Sequence, residues 1–321
     1  MGMFGLRRTA AEGLLLLAML GWMATAQAQT QTSVWVPGKG HGAVTFSVGE
    51  VVADQAAVPP ALGGGLTHFG EVTLRGALLE FDYGITDRLA FNALLPYKSN
   101  RYVGDRPHDP RQLLDDHGEP FLDDGSYHGG WADWGVGLRY LWLTEPVAIT
   151  PFVTFYHPID DYPIFTQTAF GTGQWRIDLG VNFGGRIPGP LRNLYWVGGY
   201  AYSYVEETQI NNNPNHRVNH SVAHFELGWF ATPRLTASVA WRYTRAHDGL
   251  VVPSDFNFPP IDDLWYYHDQ LFELEQTTVD FGLGYQVNDH YALDFNYGRT
   301  VHVVMGKKIK HAFSVGLTYN F

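Results

Sequence analysis

The chain has 321 residues, and its 32 Asp and Glu outnumber its 21 Lys and Arg to give a formal net charge of −11. Such an acidic chain lacks the basic surface that nucleic acid binding requires, which excludes that class of partner. The absence of cysteine excludes disulfide bonds and thiolate metal sites. The 36 Gly, 20 Phe, 18 Tyr and 10 Trp give a profile unlike that of an ordinary soluble protein.

The first 28 residues have the features of a secretory signal peptide. Arg7 and Arg8 supply a basic start, and the apolar stretch that follows is too short to span a membrane as a mature helix. Ala26-Gln27-Ala28 fits the small-residue cleavage rule. We therefore expect export, cleavage after Ala28, and a mature domain at residues 29–321. No later stretch is apolar for long enough to predict a spanning helix.

Beyond the signal peptide, apolar and polar residues alternate along most of the chain. A period of two predicts β-strands that have one apolar and one polar face. We predict twelve strands, at residues 42–53, 71–83, 88–102, 131–143, 147–157, 174–186, 193–206, 221–231, 235–247, 277–287, 291–303 and 308–321. Strand 71–83 changes phase in its middle, which predicts a β-bulge near Gly76 to Leu78.

The connections between these strands alternate in length. Every second connection is short and rich in residues that supply the backbone angles of tight turns. The short connections are residues 84–87, 144–146, 188–193, 232–234 and 288–290, and the long ones are residues 54–70, 103–130, 158–173, 207–220 and 248–276. The last connection on the long side, around Met305 to Lys307, is the exception and is short. Short periplasmic turns and long extracellular loops are the plan of a transmembrane β-barrel, whereas a soluble sandwich does not sort its loops in this way.

The faces of the strands lead to the same fold class. In strand 174–186, large apolar residues alternate with Arg176, Asp178, Asn182 and glycines. No helical segments remain to cover so much apolar surface in water, and a sheet in a bilayer has to close so that every backbone group is paired. We therefore predict an all-β protein, a transmembrane antiparallel up-and-down β-barrel of about twelve strands in the bacterial outer membrane, with Tyr and Trp at both interfaces.

The chain ends on the alternating segment "HAFSVGLTYNF", residues 311–321. We predict that this segment is the closing strand and pairs with the first strand. Its Tyr319 and terminal Phe321 resemble the C-terminal recognition strand of bacterial outer-membrane proteins. The resemblance implies that the barrel-assembly machinery recognises this strand during insertion into the membrane.

Three further segments carry a resemblance to a known family. They are "GWADWGVGLRYLWL" (130–143), "GTGQWRIDLGVNFGG" (171–185) and "VNHSVAHFELGWFATPRLTASVAWRY" (218–243). They resemble the outer-membrane family that is linked to meta-pathway phenol degradation, and the likeness covers roughly residues 130–321. Members of that family are regarded as transporters or channels. The resemblance implies passive or gated passage of small solutes, among them small aromatic or apolar compounds, and leaves the solute open.

The polar faces of the strands supply candidate pore-lining residues. These are Arg75, Lys98, Asp133, Arg139, Arg176, Asp178, Arg186, His224, Glu226, Arg242, Asp280 and Asp294. In one interpretation they line a narrow, water-filled path and select solutes by charge. In the other they form ion pairs that plug the interior and leave a purely structural barrel. The turn at 232–234 sets His224 opposite Arg242 and makes Glu226 a diagonal neighbour of Arg242.

Two aromatic segments also have specific interpretations. In strand 193–206, Trp196 and the tyrosines at 200, 202 and 204 share one face. That face either lines the lumen or anchors the barrel in lipid, and the second interpretation is preferred. The aromatic and acidic loop 253–276 is more apolar than a plain exposed loop, which predicts a folded lid or an inward constriction.

An outer-membrane hydrolase of the lipase or protease type is the alternative function. His220, Ser221 and His224 are close in sequence, but Ser221 and His224 are three positions apart in a strand and point to opposite faces. We therefore predict no catalytic residues.

The sequence also bears on cofactors and partners. The His and Asp residues of the loops lack the spacing of a metal site, and no glycine-rich phosphate loop is present. We therefore predict neither a metal nor an organic cofactor. The expected partners are the lipid bilayer, lipopolysaccharide, the barrel-assembly machinery and a small solute.

Overall fold

The computed structural model describes residues 33–57, 64–112, 119–210, 215–250 and 266–321, so the predicted signal peptide lies outside the described residues. Within these ranges the β-segments are β1 (Gly42–Ala57), β2 (Leu66–Gly84), β3 (Leu89–Val103), β4 (His128–Trp131), β5 (Asp133–Tyr140), β6 (Ala148–Pro158), β7 (Arg176–Arg186), β8 (Leu194–Val205), β9 (Asn219–Phe230), β10 (Leu235–His247), β11 (Glu275–Gln286), β12 (Tyr291–Val304) and β13 (Lys307–Asn320). The helical segments of the described chain are α1 (His268–Leu271) and two 3-10 turns, Pro110–Gln112 and Gly189–Leu191. No helix in these ranges has the length and apolar character needed to cross a membrane.

The β-segments form one antiparallel sheet that closes into a barrel. Segments pair with their neighbours in chain order, and β1 pairs with both β2 and β13. β4 and β5 both pair with β3 and together form one barrel strand, so the described chain closes as the predicted twelve-stranded barrel. The break at Ala132 has a local cause. Its N–H donates to the Pro96 carbonyl at 3.1 Å, but Pro96 has no N–H to return to the ladder.

The short turns lie at one end of the barrel, together with the C-terminus. Thr86 and Thr232 hold two of these turns in the same way. Each hydroxyl accepts hydrogen bonds from the backbone N–H groups two and three residues later, at 3.2 and 2.9 Å. Such side-chain bonds stabilise a tight turn without a full backbone ladder. We call this end periplasmic and the end that carries the long loops extracellular.

The last strand closes the barrel against the first, as predicted. The pairing begins with Ala43 opposite Asn320. Gly42 and Phe321 exchange both backbone hydrogen bonds, each at 3.0 Å. A side chain at Gly42 would collide with the Phe321 ring and with the Asp82 carbonyl, so the seam requires glycine at this close approach of strands.

Large apolar side chains cover the outside of the barrel. Examples are Phe46, Leu179, Phe281 and Val315, which are each between 46 % and 55 % exposed. In a transmembrane barrel this surface faces lipid. The tyrosines at 200, 202 and 204 lie on the same outer face, whereas Val197 of that strand points inward and is buried. The preferred orientation of these aromatic residues is therefore confirmed.

The predicted bulge near Gly76 to Leu78 is wrong. β2 pairs with β1 and β3 without a register shift along residues 72–83, so its two faces alternate throughout. The sequence pattern changes phase because the inside of the barrel is apolar here. Leu78 has no exposed surface and packs against Leu94 and Tyr156. The register shifts of this hairpin lie instead at the extracellular end of β1.

Candidate functional site: the barrel lumen

The chain enters the lumen before β1 begins. Within the segment 33–37, Val34 has no exposed surface and packs between Ala148 and Val197. The Val34 carbonyl accepts a hydrogen bond from Thr150 Oγ1 at 2.6 Å. These wall residues face inward near the periplasmic end of β6 and β8, so the segment fills part of the lumen there. It carries no periodic signal, and for that reason the sequence does not predict its position.

Arg139 connects the N-terminal segment to the wall. Its side chain is 1 % exposed and forms an ion pair with Asp82 at 2.5 Å. It also donates from Nη1 to the Ser33 carbonyl at 3.4 Å. A buried guanidinium is tolerated only beside a charged or hydrogen-bonding partner, and both kinds of partner are present. Arg139 therefore projects inward, as predicted, and holds β2, β5 and the N-terminal segment together.

A long loop folds into the extracellular mouth of the barrel. We call residues 159–175, between β6 and β7, the inner loop. Its Thr168 is almost fully buried. Inward side chains of β3 bind its backbone, since Asn100 Nδ2 donates to the Thr168 carbonyl at 2.9 Å and Lys98 Nζ donates to the Phe170 carbonyl.

Charged side chains hold the inner loop from other directions as well. Tyr162 Oη of the loop donates to Asp133 Oδ1, and Lys307 Nζ of β13 donates to the Gln167 carbonyl at 2.7 Å. Lys98 and Asp133, two of the predicted pore-lining residues, thus project into the lumen and bind this loop there.

A second extracellular segment packs on the inner loop. Gln270 of α1 donates from Nε2 to the Thr172 carbonyl. Tyr266 Oη donates to Glu119 Oε1 at 2.7 Å, and burial together with this carboxylate raises the pKa of Tyr266. We call the inner loop and residues 266–274 the cap. The predicted lid loop is described only from Tyr266 onward, and that part lies in the cap.

His108 joins the cap from the loop between β3 and β4. Its ring stacks on Phe165 with centroids 4.8 Å apart and meets His268 edge-on at 5.2 Å. Burial, with contributions from the nearby His268 and Lys307, lowers the pKa of His108 to about 3. The imidazole is therefore neutral at physiological pH. Protonation would place a charge in an aromatic contact, so we expect strong acid to loosen the cap.

Within the described part of the chain, the lumen holds a larger and a smaller cavity. The larger, of about 710 Å³, lies between the N-terminal segment and the wall formed by β8 to β12. The smaller, of about 250 Å³, lies further toward the extracellular end. His224 and Arg242 line both cavities and lie opposite each other on β9 and β10. The two cavities therefore adjoin at these side chains.

The larger cavity is lined by charges of both signs. Arg186, Arg242, Glu226, Asp280 and Asp294 all contribute to its wall. A charged molecule in this cavity would meet both attractive and repulsive groups.

An aromatic corner occupies one part of the larger cavity. The rings of Tyr195 and Phe230 lie 5.1 Å apart, and the Arg186 guanidinium lies over Phe230, 4.9 Å from its centroid. Trp35 of the N-terminal segment lines the same cavity. The corner combines ring faces with a cation, which is the chemistry that binds a small aromatic molecule with a polar or anionic substituent.

The smaller cavity has its own charged pair. The Arg176 guanidinium lies over the Tyr156 ring, 3.9 Å from its centroid, and Arg176 Nε lies 3.3 Å from Asp178 Oδ1. His220 lines the same cavity. Tyr156 was not predicted here because an aromatic residue in an alternating strand is typical of the lipid face.

The strand register places all but one of the predicted pore-lining residues on the inner face. They are Lys98, Asp133, Arg139, Arg176, Asp178, Arg186, His224, Glu226, Arg242, Asp280 and Asp294. Some of them hold the cap or the N-terminal segment, and the remainder line the two cavities. Their role in conduction stays a prediction.

The exception is Arg75, for which the pore-lining prediction is wrong. Arg75 shares the outer face of β2 with Leu79, and its Nε lies 2.9 Å from the Glu50 carboxylate. The inward residues of this strand include Leu74 and Leu78. Because the inward neighbours of Arg75 are apolar, the sequence pattern of this strand suggests that Arg75 faces the lumen, although it lies on the outer face.

The register predicted for β9 and β10 is confirmed. His224 lies opposite Arg242, and Glu226 lies opposite Ala240. The expected contact between Glu226 and Arg242 does not occur among the ion pairs of the described residues, because Glu226 instead accepts a hydrogen bond from Tyr195 Oη at 2.6 Å. Tyr195 was missed because a tyrosine at a strand end is typical of a membrane anchor.

Ser221 and His224 point to opposite faces of β9, as predicted. Ser221 lies on the outer face, where its Oγ is 2.7 Å from His247 Nε2 on β10. The Tyr202 ring stacks on His247 with centroids 5.8 Å apart. Spacing along one strand could not predict this contact between strands. Across the described ranges, no group of three or more His, Asp or Glu side chains is arranged to hold a metal ion.

The fold has solved relatives of low sequence identity. The crystal structure of an outer-membrane channel from Pseudomonas putida F1 aligns with a TM-score of 0.65 and 13 % identity, over 89 % of this chain and 97 % of that chain. The translocator domain of autotransporter NalP from Neisseria meningitidis aligns with a TM-score of 0.53 and 10 % identity, over 97 % of this chain and 96 % of that chain. No protein-family profile and no curated protein matches the sequence. With its closed twelve-stranded wall, the protein is a bacterial outer-membrane β-barrel.

Proposed function

We propose that the protein is a gated channel that carries small solutes across the outer membrane along the wall formed by β8 to β12. The two cavities that meet at His224 and Arg242 are the observation that carries the proposal. A cavity of about 710 Å³ falls within the usual size range of small-molecule sites. A barrel with a purely structural interior would instead be filled by side chains across its whole section, as small barrels are.

The favoured solutes are small aromatic compounds that carry a hydroxyl or carboxylate group. Tyr195, Phe230 and Trp35 offer ring faces, and Arg186 offers a positive charge beside them. This lining supports the same class of solute as the resemblance to the phenol-degradation family. That family link stays a prediction and does not carry the proposal.

The cap is the proposed gate. Polar contacts from Lys98, Asn100 and Lys307 hold the inner loop to the wall. Water can replace hydrogen bonds of this kind at low net cost, so the cap can move without unfolding the barrel. The strands below it keep their backbone pairing in both states.

Planar-bilayer recordings of the refolded mature protein test the channel. We expect discrete current steps, and we expect phenols and aromatic acids to reduce the current at lower concentration than sugars of similar size. Arg186→Gln should weaken the effect of aromatic acids. Arg234→Gln, which removes the same charge from an exposed periplasmic turn, is the matched control. A folded protein without conductance under any condition would exclude the channel, whereas equal effects of sugars and aromatic acids would exclude only the solute class.

A reversible cross-link tests the gate. Because the chain has no cysteine, Asn100→Cys with Thr168→Cys introduces a unique pair between the wall and the inner loop. Oxidation should lower the open probability and reduction should restore it. Each single variant controls for the substitutions. A cross-link that forms on gels but leaves the current unchanged would show that the inner loop is not the gate.

The hydrolase alternative is favoured by one observation. Ser221 and His247 are within hydrogen-bonding distance on the outer face, and Asn219 lies directly opposite His247 in the register. A serine, a histidine and an orienting amide are the components of a nucleophilic site. A serine-reactive fluorophosphonate probe discriminates between the two functions. Labelling that disappears in Ser221→Ala would support the hydrolase function. If the folded protein is not labelled at all, the hydrolase function is excluded.

A further inference from the structure

Two arginines meet on the outer surface of the barrel near its extracellular end. Arg75 on β2 and Arg101 on β3 share one face, and both guanidinium groups lie over the ring of Tyr127, at 4.5 and 4.8 Å from its centroid. Arg75 lies opposite Ser99, and Arg101 lies opposite Thr73. The two arginines are therefore diagonal neighbours across this strand pair.

The cluster of Arg75, Arg101 and Tyr127 lies at the depth of lipid headgroups. The outer row of β3 is apolar from Leu89 to Tyr97, and a tilted strand of that length spans roughly 20 Å along the membrane normal. Tyr97 meets Trp131 edge-on at 5.3 Å, which marks the aromatic girdle at the extracellular interface. The two arginines follow directly above this girdle.

The two arginines of this cluster differ in their ionic partners. Arg75 Nε lies 2.9 Å from Glu50, but the ion pairs of the described residues include no carboxylate on Arg101. Arg101 Nε and Tyr127 Oη are buried and have no hydrogen-bond partner in the described part of the chain. A charged group and a hydroxyl in a poorly hydrated place are costly without partners.

We propose that Arg75, Arg101 and Tyr127 bind a phosphate group of lipid A, the membrane anchor of lipopolysaccharide. Phosphate matches the forked donors of guanidinium groups and forms strong charge-assisted hydrogen bonds with them. The acyl chains of the same lipid then lie against the apolar outer row of β3. The chain as a whole carries a net charge of −11, which repels anionic lipid, so binding depends on such a local cluster. The site is independent of the proposed channel.

A third arginine, at another position around the barrel, supports the proposal that arginine and tyrosine bind lipid phosphate. Arg217 lies over the Tyr204 ring, 4.3 Å from its centroid, and donates to Tyr204 Oη. Tyr204 points outward at the extracellular end of β8. Arg88 and Arg234, in turns at the periplasmic end, have no such ring contact among the described residues. Arginine over an outward tyrosine is therefore a feature of the extracellular leaflet in this part of the chain.

Lipid binding to the folded mature protein tests the site. Native mass spectrometry in detergent would compare purified lipid A with its dephosphorylated form on the wild type and on the Arg75→Gln, Arg101→Gln double variant. We expect the double variant to bind lipid A about tenfold more weakly. We expect a similar loss when the wild type is given the dephosphorylated lipid. Arg234→Gln removes one charge at the periplasmic end and should bind lipid A as the wild type does.

Heat-modifiable migration on gels establishes that each variant is folded. Should the double variant not fold, Arg101→Gln and Tyr127→Phe replace it, and each should weaken binding by a smaller factor. Equal lipid A binding by wild type and folded variants would overturn the proposal. It would also be overturned if the wild type bound both forms of the lipid equally, or if inorganic phosphate at the same concentration displaced lipid A completely, because the site would then recognise free phosphate.

Discussion

The two walls of the lumen differ in what they turn inward. On β2, β3 and β6 the inner face carries Leu78, Leu94 and Tyr156, which pack together in one buried cluster. On β10 and β11 the inner face carries Ser238 and Gly282, which line the larger cavity. We call these the packed wall and the open wall. The outer faces of the two walls are alike, because both contact lipid. The walls differ in the size and polarity of their inward residues, and these properties determine whether the lumen is open beside the wall.

The largest effect is expected at the seam between β1 and β13, which lies beside the packed wall. Phe321 and Tyr285 both lie on the outer face at the periplasmic end and are 40 % and 46 % exposed. Only Phe321 lies on the closing seam, where it pairs with Gly42 and stacks near Phe81 and Tyr319. We expect Phe321→Asp to lose most of the outer-membrane yield and Tyr285→Asp to lose far less. Yield and heat-modifiable migration measure this, and equal losses would contradict a special role of the terminal residue in assembly.

Substitutions of inward residues should lower the free energy of unfolding more on the packed wall than on the open wall. Leu78→Ala leaves a cavity in the packed wall, and we expect it to lower the free energy of unfolding by about 3 kcal/mol. Ser238→Ala on the open wall removes only a hydroxyl that hydrogen-bonds with Tyr195, and should lower it by about 1 kcal/mol or less. Urea unfolding in lipid vesicles measures both. Similar changes in the free energy of unfolding for the two variants would show that the two walls do not differ in packing.

Substitutions of inward residues should change ion selectivity on the open wall and leave it unchanged on the packed wall. We expect Arg242→Ala to shift the selectivity toward cations and Glu226→Ala to shift it toward anions, because both residues line the larger cavity. A change of a few-fold in the permeability ratio is expected, read from reversal potentials in a salt gradient. Asn92→Ala, on the inner face of the packed wall, should leave the ratio unchanged. A shift for Asn92→Ala as large as for the charged residues would mean that ions follow another path.

Acid pH should act on the cap through His108. The pKa of His108 is about 3 in the folded cap, below the value of about 6.5 in an unfolded chain. His108 therefore stabilises the closed cap above pH 6.5, and this contribution is lost as the pH falls from about 6.5 toward 3. His268, Lys307 and Asp269 act on the same ring.

The open probability of the proposed channel is the measure of this effect, which we expect to be the smallest of the four. It should rise through that pH window in the wild type and change less in His108→Gln. An equal rise in both proteins would assign the pH response to other groups of the cap.

The fold was predictable where a single physical cause controls the pattern. The strand predicted at 235–247 coincides with β10, Leu235–His247, because every outward residue there meets lipid and every inward one meets the lumen. The turns were predictable for a similar reason, since Thr86 and Thr232 satisfy backbone groups locally. The closing strand follows from the rule that a sheet in a bilayer leaves no free edge.

The site was predictable only in part, because the partner of an inward side chain is set by distant segments. Lys98 and Asp133 point inward as predicted, yet they bind the inner loop, which follows β6. Arg75 was assigned to the wrong face because its strand belongs to the packed wall. The position of the N-terminal segment rests on contacts such as Val34 with Ala148, which no local pattern of residues records.

Under the proposed channel function, the adjoining of the two cavities at His224 and Arg242 has a consequence for transport kinetics. Two chambers that communicate through one narrow place exchange molecules in single file, so a molecule held in either chamber obstructs movement from the other. Uptake should then saturate with external concentration instead of rising linearly, as it does in a wide pore. Unlabelled solute on the periplasmic side of a vesicle should also slow the entry of labelled solute from outside.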